Sequence, residues 1–169
     1  MGETGEEVAL IPVHRAPMRS RREDVPVGLA VDRALELNVC GVGGVLVPPP
    51  RSLDEAVEGL ATAYDDRTAR RLRRFSEVPD GAFVWTRESD GLYRLGRLAG
   101  PWEYDASPGA VAADLVHVRP CEWARRAFTE NDVPAAAAYS FSRGGRNFQR
   151  IRDPRVESAT LALWPGSEG

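Results

Sequence analysis

The stretch "FVWTRESDGLYRLGRLAGPWEYD", residues 83–105, carries the strongest structural signal in the sequence. Two runs rich in aromatic and strand-favouring residues flank the pair Asp90-Gly91, and this pattern predicts a β-hairpin. If Asp90 and Gly91 form a two-residue turn, Trp85 lies opposite Gly96. A glycine opposite a tryptophan leaves a gap, which either the indole covers or a flat ligand fills.

The same stretch continues through a turn at Gly100-Pro101 to Trp102 and Tyr104. Side chains two positions apart lie on the same side of an extended strand, so these two rings share one face. Together with Trp85 they form either the wall of a ligand pocket or part of a core. The hairpin pattern leaves both interpretations open.

Upstream, the sequence predicts a helix over Gly28–Leu37 and then a strand in "NVCGVGGVLVPPP", which three prolines end. Gly43 and Gly44 indicate a bend or a close approach of the backbone to another group. Their spacing does not match the GxGxxG pattern that precedes a helix in nucleotide-binding loops, so we assign no phosphate loop here.

A second helix is expected after Ser52, because Ser52 and Glu55 form a capping box ahead of an apolar face. Downstream, four arginines share one stripe at about 100 degrees per residue, which makes the segment a basic amphipathic helix. These arginines are Arg67, Arg70, Arg71 and Arg74. The stripe is either a solvated helix face or a surface that contacts phosphates.

Towards the C-terminus, "DLVHVRPCEW" predicts a third strand that breaks at Pro120, and "FTENDVP" predicts a short capped turn. The next segment mixes arginines with aromatic residues, as nucleic-acid surfaces do, and Arg143 and Arg146 are its phosphate-binding candidates. His117 and Glu122 are the visible acid–base candidates, but no serine or cysteine nucleophile accompanies them.

The composition predicts a single globular domain and excludes several kinds of chemistry. All 22 basic residues are arginine, which excludes a Schiff-base lysine, a Walker-type lysine and the usual lysine of a metal-dependent nuclease. The formal net charge is -3 over 169 residues, so a cationic surface must be local. Cys40 and Cys121 form no CxxC motif, and we expect buried thiols and no metal site.

Two further expectations concern the location of the protein. No apolar run approaches the length that crosses a bilayer, so we expect a soluble protein with no membrane partner. The first residues are acidic and lack the basic and apolar regions of a secretory signal. We therefore expect a cytoplasmic protein.

Several of these motifs resemble a known family. Over residues 80–151, "GAFVWTRESDGLYRLGRLAGPWEYD", "VHVRPCEW", "FTENDVP" and "RNFQRI" are similar to the N-terminal module of Mrr-type restriction endonucleases and related defence proteins. Upstream, "ALELNVCGVGG" resembles the helix and first strand of EVE-type domains, where tryptophan commonly stands at the position of Gly44. EVE-type domains belong, with the ASCH and YTH types, to the PUA-like superfamily.

The resemblance implies an α+β fold, a small and strongly bent β-barrel of PUA-like type with helices inserted after its first strand. The EVE-type domain is expected over residues 26–165, behind an irregular N-terminal arm at residues 1–25. The implied function is non-catalytic reading of nucleic acid, DNA rather than RNA, associated with restriction or defence and with a separate effector nuclease. No cofactor is implied. The alternatives are a protein-interaction module and an enzyme that acts on a nucleotide-like small ligand.

In such a reader, an aromatic pocket holds a modified or flipped base, because ring stacking offsets the cost of unstacking the base. The pocket residues that the resemblance implies are Trp85, Trp102, Tyr104, Gly43, Gly44, Arg97 and Arg119. The implied phosphate contacts are Arg67, Arg70, Arg71, Arg74, Arg143 and Arg146.

Overall fold

The computed structural model describes residues 11–165 and has an α+β fold. Its strands form one curled, half-barrel mixed sheet. The strands are β1 (Val13–Arg15), β2 (Val39–Val42), β3 (Phe83–Arg87), β4 (Tyr93–Leu98), β5 (Glu103–Tyr104), β6 (His117–Phe128) and β7 (Gln149–Arg150). The helices are α1 (Leu29–Leu37), α2 (Leu53–Ala63), α3 (Asp66–Glu77), α4 (Pro108–Ala113), α5 (Ala135–Ser142) and α6 (Pro154–Leu163).

The long strand β6 joins β2 and β5 to β4 and the rest of the sheet. Its first residues pair with β2 on one edge and with β5 on the other, and its second half pairs with β4. The order across the sheet is β2-β6-β4-β3-β1-β7, with β5 beside β6. β1 runs parallel to β3, and the other pairings are antiparallel.

The sheet separates two hydrophobic cores, as the residues of β3 show. Val84 belongs to the first core, which includes side chains of α1, α2, α3 and α4. Its neighbours Phe83 and Trp85 belong to the second core, which includes side chains of α5 and α6. Because both faces of β3 are covered, its first four residues are all buried instead of alternating between buried and exposed.

The hairpin predicted between β3 and β4 is present, but its register differs by one residue from our expectation. A hydrogen bond from Glu88 N–H to Leu92 O (2.8 Å) closes a loop of three residues, in which Gly91 has φ 91°. The extra loop residue shifts the pairing, so Trp85 lies opposite Leu95.

Gly96 lies opposite Val84, and protein atoms fill the space above it. A Cβ at Gly96 would lie 2.6 Å from Cys121 Sγ and 2.6 Å from the ring of Trp123. The glycine therefore allows the close packing of Trp123 on the sheet. It does not leave room for a ligand beside Trp85.

The prediction that Trp85 forms part of a pocket wall is wrong, because the structure places its ring in the second core. Trp85 is 0 % exposed, and its Nε1–H donates to Thr160 Oγ1 at 3.1 Å. Its ring also packs edge-on against Phe128, with ring centroids 5.4 Å apart. The indole polar group thus has a partner within α6, as buried tryptophans require.

The prediction that the third strand breaks at Pro120 is also wrong, since β6 continues to Phe128. Pro120 lies where β6 changes its neighbour on one edge from β5 to β4. A proline is tolerated at such a position because no ladder hydrogen bond requires its missing N–H. Its carbonyl still accepts from Ala99 N–H at 2.9 Å.

Both helices predicted upstream of the hairpin are confirmed, and Ser52 Oγ accepts from Glu55 N–H at 3.1 Å at the start of α2. The basic stripe lies on a separate helix, α3, which Asp65 caps. The N-terminal segment differs from the irregular arm that we expected, because Val13–Arg15 pair with β3 and β7. Residues 1–10 of that arm lie outside the described residues.

The expectation of buried thiols is confirmed, since Cys40 and Cys121 are both free and buried. Burial raises the pKa of the Cys40 thiol to about 12. Within residues 11–165, no helix combines the length and the apolar character that a membrane span requires.

We expect Trp85→Ala to lower the free energy of unfolding by about 3–5 kcal/mol, because it removes a large ring from a packed core. Tyr139→Ala is the control, since Tyr139 is 63 % exposed and surface changes typically stay within about 0.5 kcal/mol. Urea unfolding measures both variants. Similar stability of the two variants would contradict the core position of Trp85.

Candidate nucleic-acid interface

A cavity of about 130 Å³ lies where β2 ends, and we call it the Gly43–Gly44 pocket. Segments that are far apart in the sequence line it, so the fold and not a local motif creates it. The lining residues are Arg19, Ser20, Arg21 and Arg22 after β1; Val42, Gly43 and Gly44 at the end of β2; Leu60 and Tyr64 of the α2 segment; Thr68, Arg71 and Leu72 of α3; and Asp114, Arg146, Asn147 and Phe148.

Gly43 and Gly44, where a bend or a close backbone approach is predicted, form one side of this pocket. Gly44 has φ 122°, a conformation that favours glycine, and a Cβ there would lie 2.8 Å from Leu60 Cδ2. A Cβ at Gly43 would lie 2.6 Å from Asp114 Oδ2. The predicted close approach of the backbone is therefore present, and the approaching groups are Asp114 and Leu60.

The buried imidazole of His117 holds the carbonyl of Gly44. His117 Nε2 lies 2.8 Å from Gly44 O, and its Nδ1 lies 3.2 Å from Trp102 Nε1. A carbonyl only accepts and an indole N–H only donates, so the proton of this imidazole is on Nε2. His117 is 0 % exposed, and burial lowers its pKa to about 4. The ring is therefore neutral at physiological pH.

Trp102 and Tyr104 lie behind the pocket and do not line it. The ring of Trp102 stacks on His117 at 6.1 Å, and the ring of Tyr104 meets the same imidazole edge-on at 5.3 Å. The Tyr104 hydroxyl accepts from Leu46 N–H (3.0 Å) and donates to Leu46 O (3.2 Å). The two rings thus lie on the same side, as predicted, but they contact the His117 imidazole there and do not form a pocket wall.

Asp114 binds the N–H of Gly44, whereas His117 binds its carbonyl. Its Oδ1 accepts from Gly44 N–H at 3.0 Å, and its Oδ2 accepts from the Ser20 hydroxyl at 2.5 Å. Asp114 follows α4 and has φ 50°, a left-handed conformation that aspartate tolerates better than most residues. The N–H and the C=O of Gly44 are therefore both fixed, and a carboxylate lies at the pocket surface.

Most of the arginines around the pocket have no acidic partner. Arg22 pairs with Asp24 at 2.8 Å. Among the described residues, no carboxylate forms an ion pair with Arg19, Arg21 or Arg146. The pocket rim is thus locally cationic in a chain whose net charge is -3.

Arg71 is the pocket arginine with a buried donor that lacks an acceptor among the described residues. Its Nη1 is inaccessible to solvent and has no hydrogen-bond acceptor in the part of the chain that the structure describes. Burial, followed by the charges of Arg21 and Arg67, lowers the pKa of its guanidinium. A buried donor without a partner is costly, so an acceptor from a ligand would stabilise Arg71.

The predicted arginine stripe lies on α3 beside this pocket. Arg67, Arg70 and Arg74 are exposed, and no ion pair involves them within residues 11–165. The stripe therefore continues outward from Arg71 as a row of free positive charges. Arg73, outside the stripe, pairs with Asp54 at 3.5 Å.

Arg119 is a structural residue, which corrects its assignment to a base pocket. Its side chain is 2 % exposed and donates to Gly100 O (2.9 Å), Phe75 O (2.9 Å), Val78 O (2.7 Å) and Asp80 Oδ1 (2.9 Å). The end of α3, the segment that follows it and the turn at Gly100 present these acceptors to the guanidinium. All three of its nitrogens thus donate to groups of the fold.

Arg97 and Arg143 also lie away from the pocket. Arg97 Nε donates to Gly81 O at 3.0 Å, and its guanidinium lies over the ring of Phe83, 5.2 Å from the centroid. Arg143 follows α5 in a separate cleft, and its guanidinium lies 5.8 Å from the ring centroid of Tyr139. Of the two C-terminal phosphate candidates, Arg146 lines the Gly43–Gly44 pocket.

The acid–base candidates do not form a pair. His117 is buried and Glu122 is exposed, and they lie five residues apart on one strand, which directs their side chains to opposite faces. Within residues 11–165, no three His, Cys, Asp or Glu side chains lie close enough to hold a metal ion.

Sequence reasoning did not identify Asp114, Tyr64 and Phe148 as pocket residues. Tyr64 matched the apolar face of a helix, yet it is 50 % exposed and lies at the helix end. Phe148 stands among arginines, and the only sequence signal for it was that mixture. Asp114 follows an alanine-rich segment and gave no signal, because its role depends on a contact with Gly44, 70 positions away.

Comparison with known proteins finds no match for this chain. No family model matches it, and no curated protein or solved structure does. The geometry and the charge of the pocket therefore have to identify what it binds.

We expect stability to fall between about pH 7 and pH 4, because the pKa values of His14 and His117 are lowered from 6.5 to about 4. The unfolded chain binds protons first in this range, so acid favours unfolding, by about 3 kcal/mol for each histidine. Burial is the main cause for both, and Arg150 and Arg119 add to it for His14.

Urea unfolding across this pH range measures the effect. His14→Phe should remove about half of the pH dependence, since His14 stacks on Phe148 at 4.9 Å and its Nδ1 has no partner among the described residues. A stability that stays constant from neutral to acidic pH would show that the imidazoles are not held neutral.

Proposed function

We propose that this chain is a non-catalytic nucleic-acid reader that holds one base in the Gly43–Gly44 pocket. The observation that carries the proposal is the buried, unpartnered Nη1 of Arg71, a residue that lines a pocket at which Arg19, Arg21 and Arg146 also lack acidic partners among the described residues. A buried cationic donor without an acceptor favours a ligand that brings an acceptor and negative charge. Nucleotides within a strand carry both.

The pocket has the chemical groups that a base needs. Leu60 and Leu72 supply apolar surface, and Tyr64 and Phe148 supply aromatic rings. Stacking a base on such rings contributes about 1–3 kcal/mol per base. Arg71 offers a donor to the pocket, and the Asp114 carboxylate offers an acceptor. An acceptor and a donor stand side by side on base edges, and this pair of groups could set which base fits.

The surroundings of the pocket favour a phosphate backbone. Arg67, Arg70 and Arg74 form an exposed row on α3, and Arg21 and Arg146 lie at the rim. Guanidinium groups bind phosphate oxygens bidentately, and such contacts determine position without selecting sequence. In an acidic protein, this local cationic area would direct a polyanion to the pocket.

The finer parts of the proposal rest on the sequence resemblance at residues 80–151. They are a PUA-like, EVE-type fold, a modified or flipped base as the ligand, DNA rather than RNA, and a role in restriction or defence beside a separate effector nuclease. The curled half-barrel sheet is compatible with this type of fold. The aromatic pocket that we propose differs from the expected one, because its rings are Tyr64 and Phe148.

Two neighbouring arginines allow a matched experiment. Arg71→Gln should reduce the preference for the best base by about 1–3 kcal/mol, because it removes a contact to the base. Arg70→Gln makes the same charge change on an exposed neighbour and should weaken binding equally for all sequences, with a salt slope lower by about 0.7–0.9. Fluorescence titrations measure both, with oligonucleotides that differ at one base, including methylated ones.

If both variants weaken all sequences to the same extent, Arg71 contacts phosphate and the base pocket is wrong. If the wild-type protein binds no oligonucleotide even at low salt, the nucleic-acid proposal as a whole is wrong.

A further inference from the structure

A second cavity, of about 740 Å³, opens between α5 and β7, and we call it the α5–β7 cleft. It is distinct from the Gly43–Gly44 pocket, and no residue lines both. Four arginines line the cleft: Arg15, Arg143, Arg150 and Arg152. The cleft is therefore locally cationic, although the net charge of the chain is -3.

Acidic residues neutralise only part of this charge. Arg150 pairs with Glu157 at 3.3 Å. Asp153 is the one acidic residue in the lining, and it already accepts from the Arg155 backbone N–H (2.8 Å) and Nε (3.4 Å). Among residues 11–165, the other three arginines of the cleft have no carboxylate partner.

Arg15 is the most unusual of these three because it is buried. It is 6 % exposed, and its Nη1 donates to Ser140 O and to Gly144 O (2.9 Å) at the end of α5. Those carbonyls accept hydrogen bonds from Nη1 only, and the Nε–H has no acceptor among the described residues. Burial, followed by the charge of Arg143, lowers its pKa. A buried cation without a counter-charge favours an anionic ligand.

Gly145 allows the backbone to pack closely against this guanidinium. Gly145 has φ 105°, and a Cβ there would lie 2.6 Å from Arg15 Nη2. A side chain at this position would therefore collide with Arg15.

A groove lies between the cleft and the Gly43–Gly44 pocket. It has a volume of about 400 Å³ and runs between the segment after β1 and the β3–β4 loop. It shares Arg15 and Gly144 with the cleft and Arg19 with the pocket. The three cavities are therefore neighbours, and an arginine lies at each boundary between them.

We propose that the α5–β7 cleft binds phosphate groups of the same nucleic-acid strand whose base occupies the Gly43–Gly44 pocket. That the ligand is a nucleic-acid strand rests on the proposed function. That the cleft binds an anion is supported independently by its positive charge. Arg15, Arg143 and Arg152 would bind phosphate oxygens, as guanidinium groups do. Because these contacts involve only the backbone, the cleft adds affinity without sequence preference.

The test uses exposed residues, since replacing Arg15 could disturb the fold. Arg143→Gln with Arg152→Gln removes two cleft charges, and both residues are exposed and free of ion pairs in the described part of the chain. Arg51→Gln with Arg125→Gln is the matched control, because both residues are exposed and neither lines the cleft, the groove or the pocket. The probes are a labelled single-stranded oligodeoxynucleotide and an abasic strand of the same length.

We expect the cleft variant to lower the salt slope of binding by up to about 1.4 for both strands, about 0.7 for each phosphate that the variant no longer neutralises. The control variant should keep the wild-type slope. If the cleft variant and the control behave alike on both strands, the cleft does not bind the backbone and the proposal is overturned.

The pocket proposal has a separate readout, the difference in wild-type affinity between the base-bearing and the abasic strand. The cleft variant should leave that difference unchanged. If the two strands bind the wild-type protein equally while the cleft variant still lowers the slope, the base pocket fails and the cleft proposal stands.

Discussion

The hydrogen bonds of the His117 imidazole fix the backbone on which the pocket depends. Its Nε2–H donates to the carbonyl of Gly44, and its Nδ1 accepts from the indole of Trp102. A protonated imidazole could not accept from Trp102, so this arrangement requires the neutral ring that burial favours. Asp114 holds the N–H of Gly44 at the same time. The pocket is therefore pre-formed, and a ligand would not have to order this part of the backbone.

The short strand β1 connects the two cationic sites. His14 and Arg15 are neighbours in an extended strand, so their side chains point to opposite faces of the sheet. His14 stacks on Phe148, which lines the Gly43–Gly44 pocket. Arg15 lines the α5–β7 cleft. The segment that we expected to be an irregular arm thus positions one aromatic ring of the pocket and the buried guanidinium of the cleft, and both sites depend on its pairing with β3.

Local patterns predicted α1, α2, the basic helix α3, the hairpin and the bend at Gly44, because each depends on neighbouring residues. The hairpin register could not be predicted, since Gly91 adopts a left-handed conformation that adds one residue to the loop. Trp85 lies on a strand that is covered on both faces. Apolar and polar residues do not alternate along such a strand, so its sequence does not indicate which face the Trp85 ring occupies. The roles of Arg119 and Asp114 depend on carbonyl and amide groups distant in the sequence, which only the fold brings near.

The most direct measurement follows the amide resonances of Gly43 and Gly44 by NMR while a DNA strand is added. If a base enters the pocket, both amides and the Nε–H of Arg71 shift along one binding curve, and the amide of Gly81, beside Arg97, stays in place. Binding that leaves Gly43, Gly44 and Arg71 unperturbed would contradict a base in this pocket.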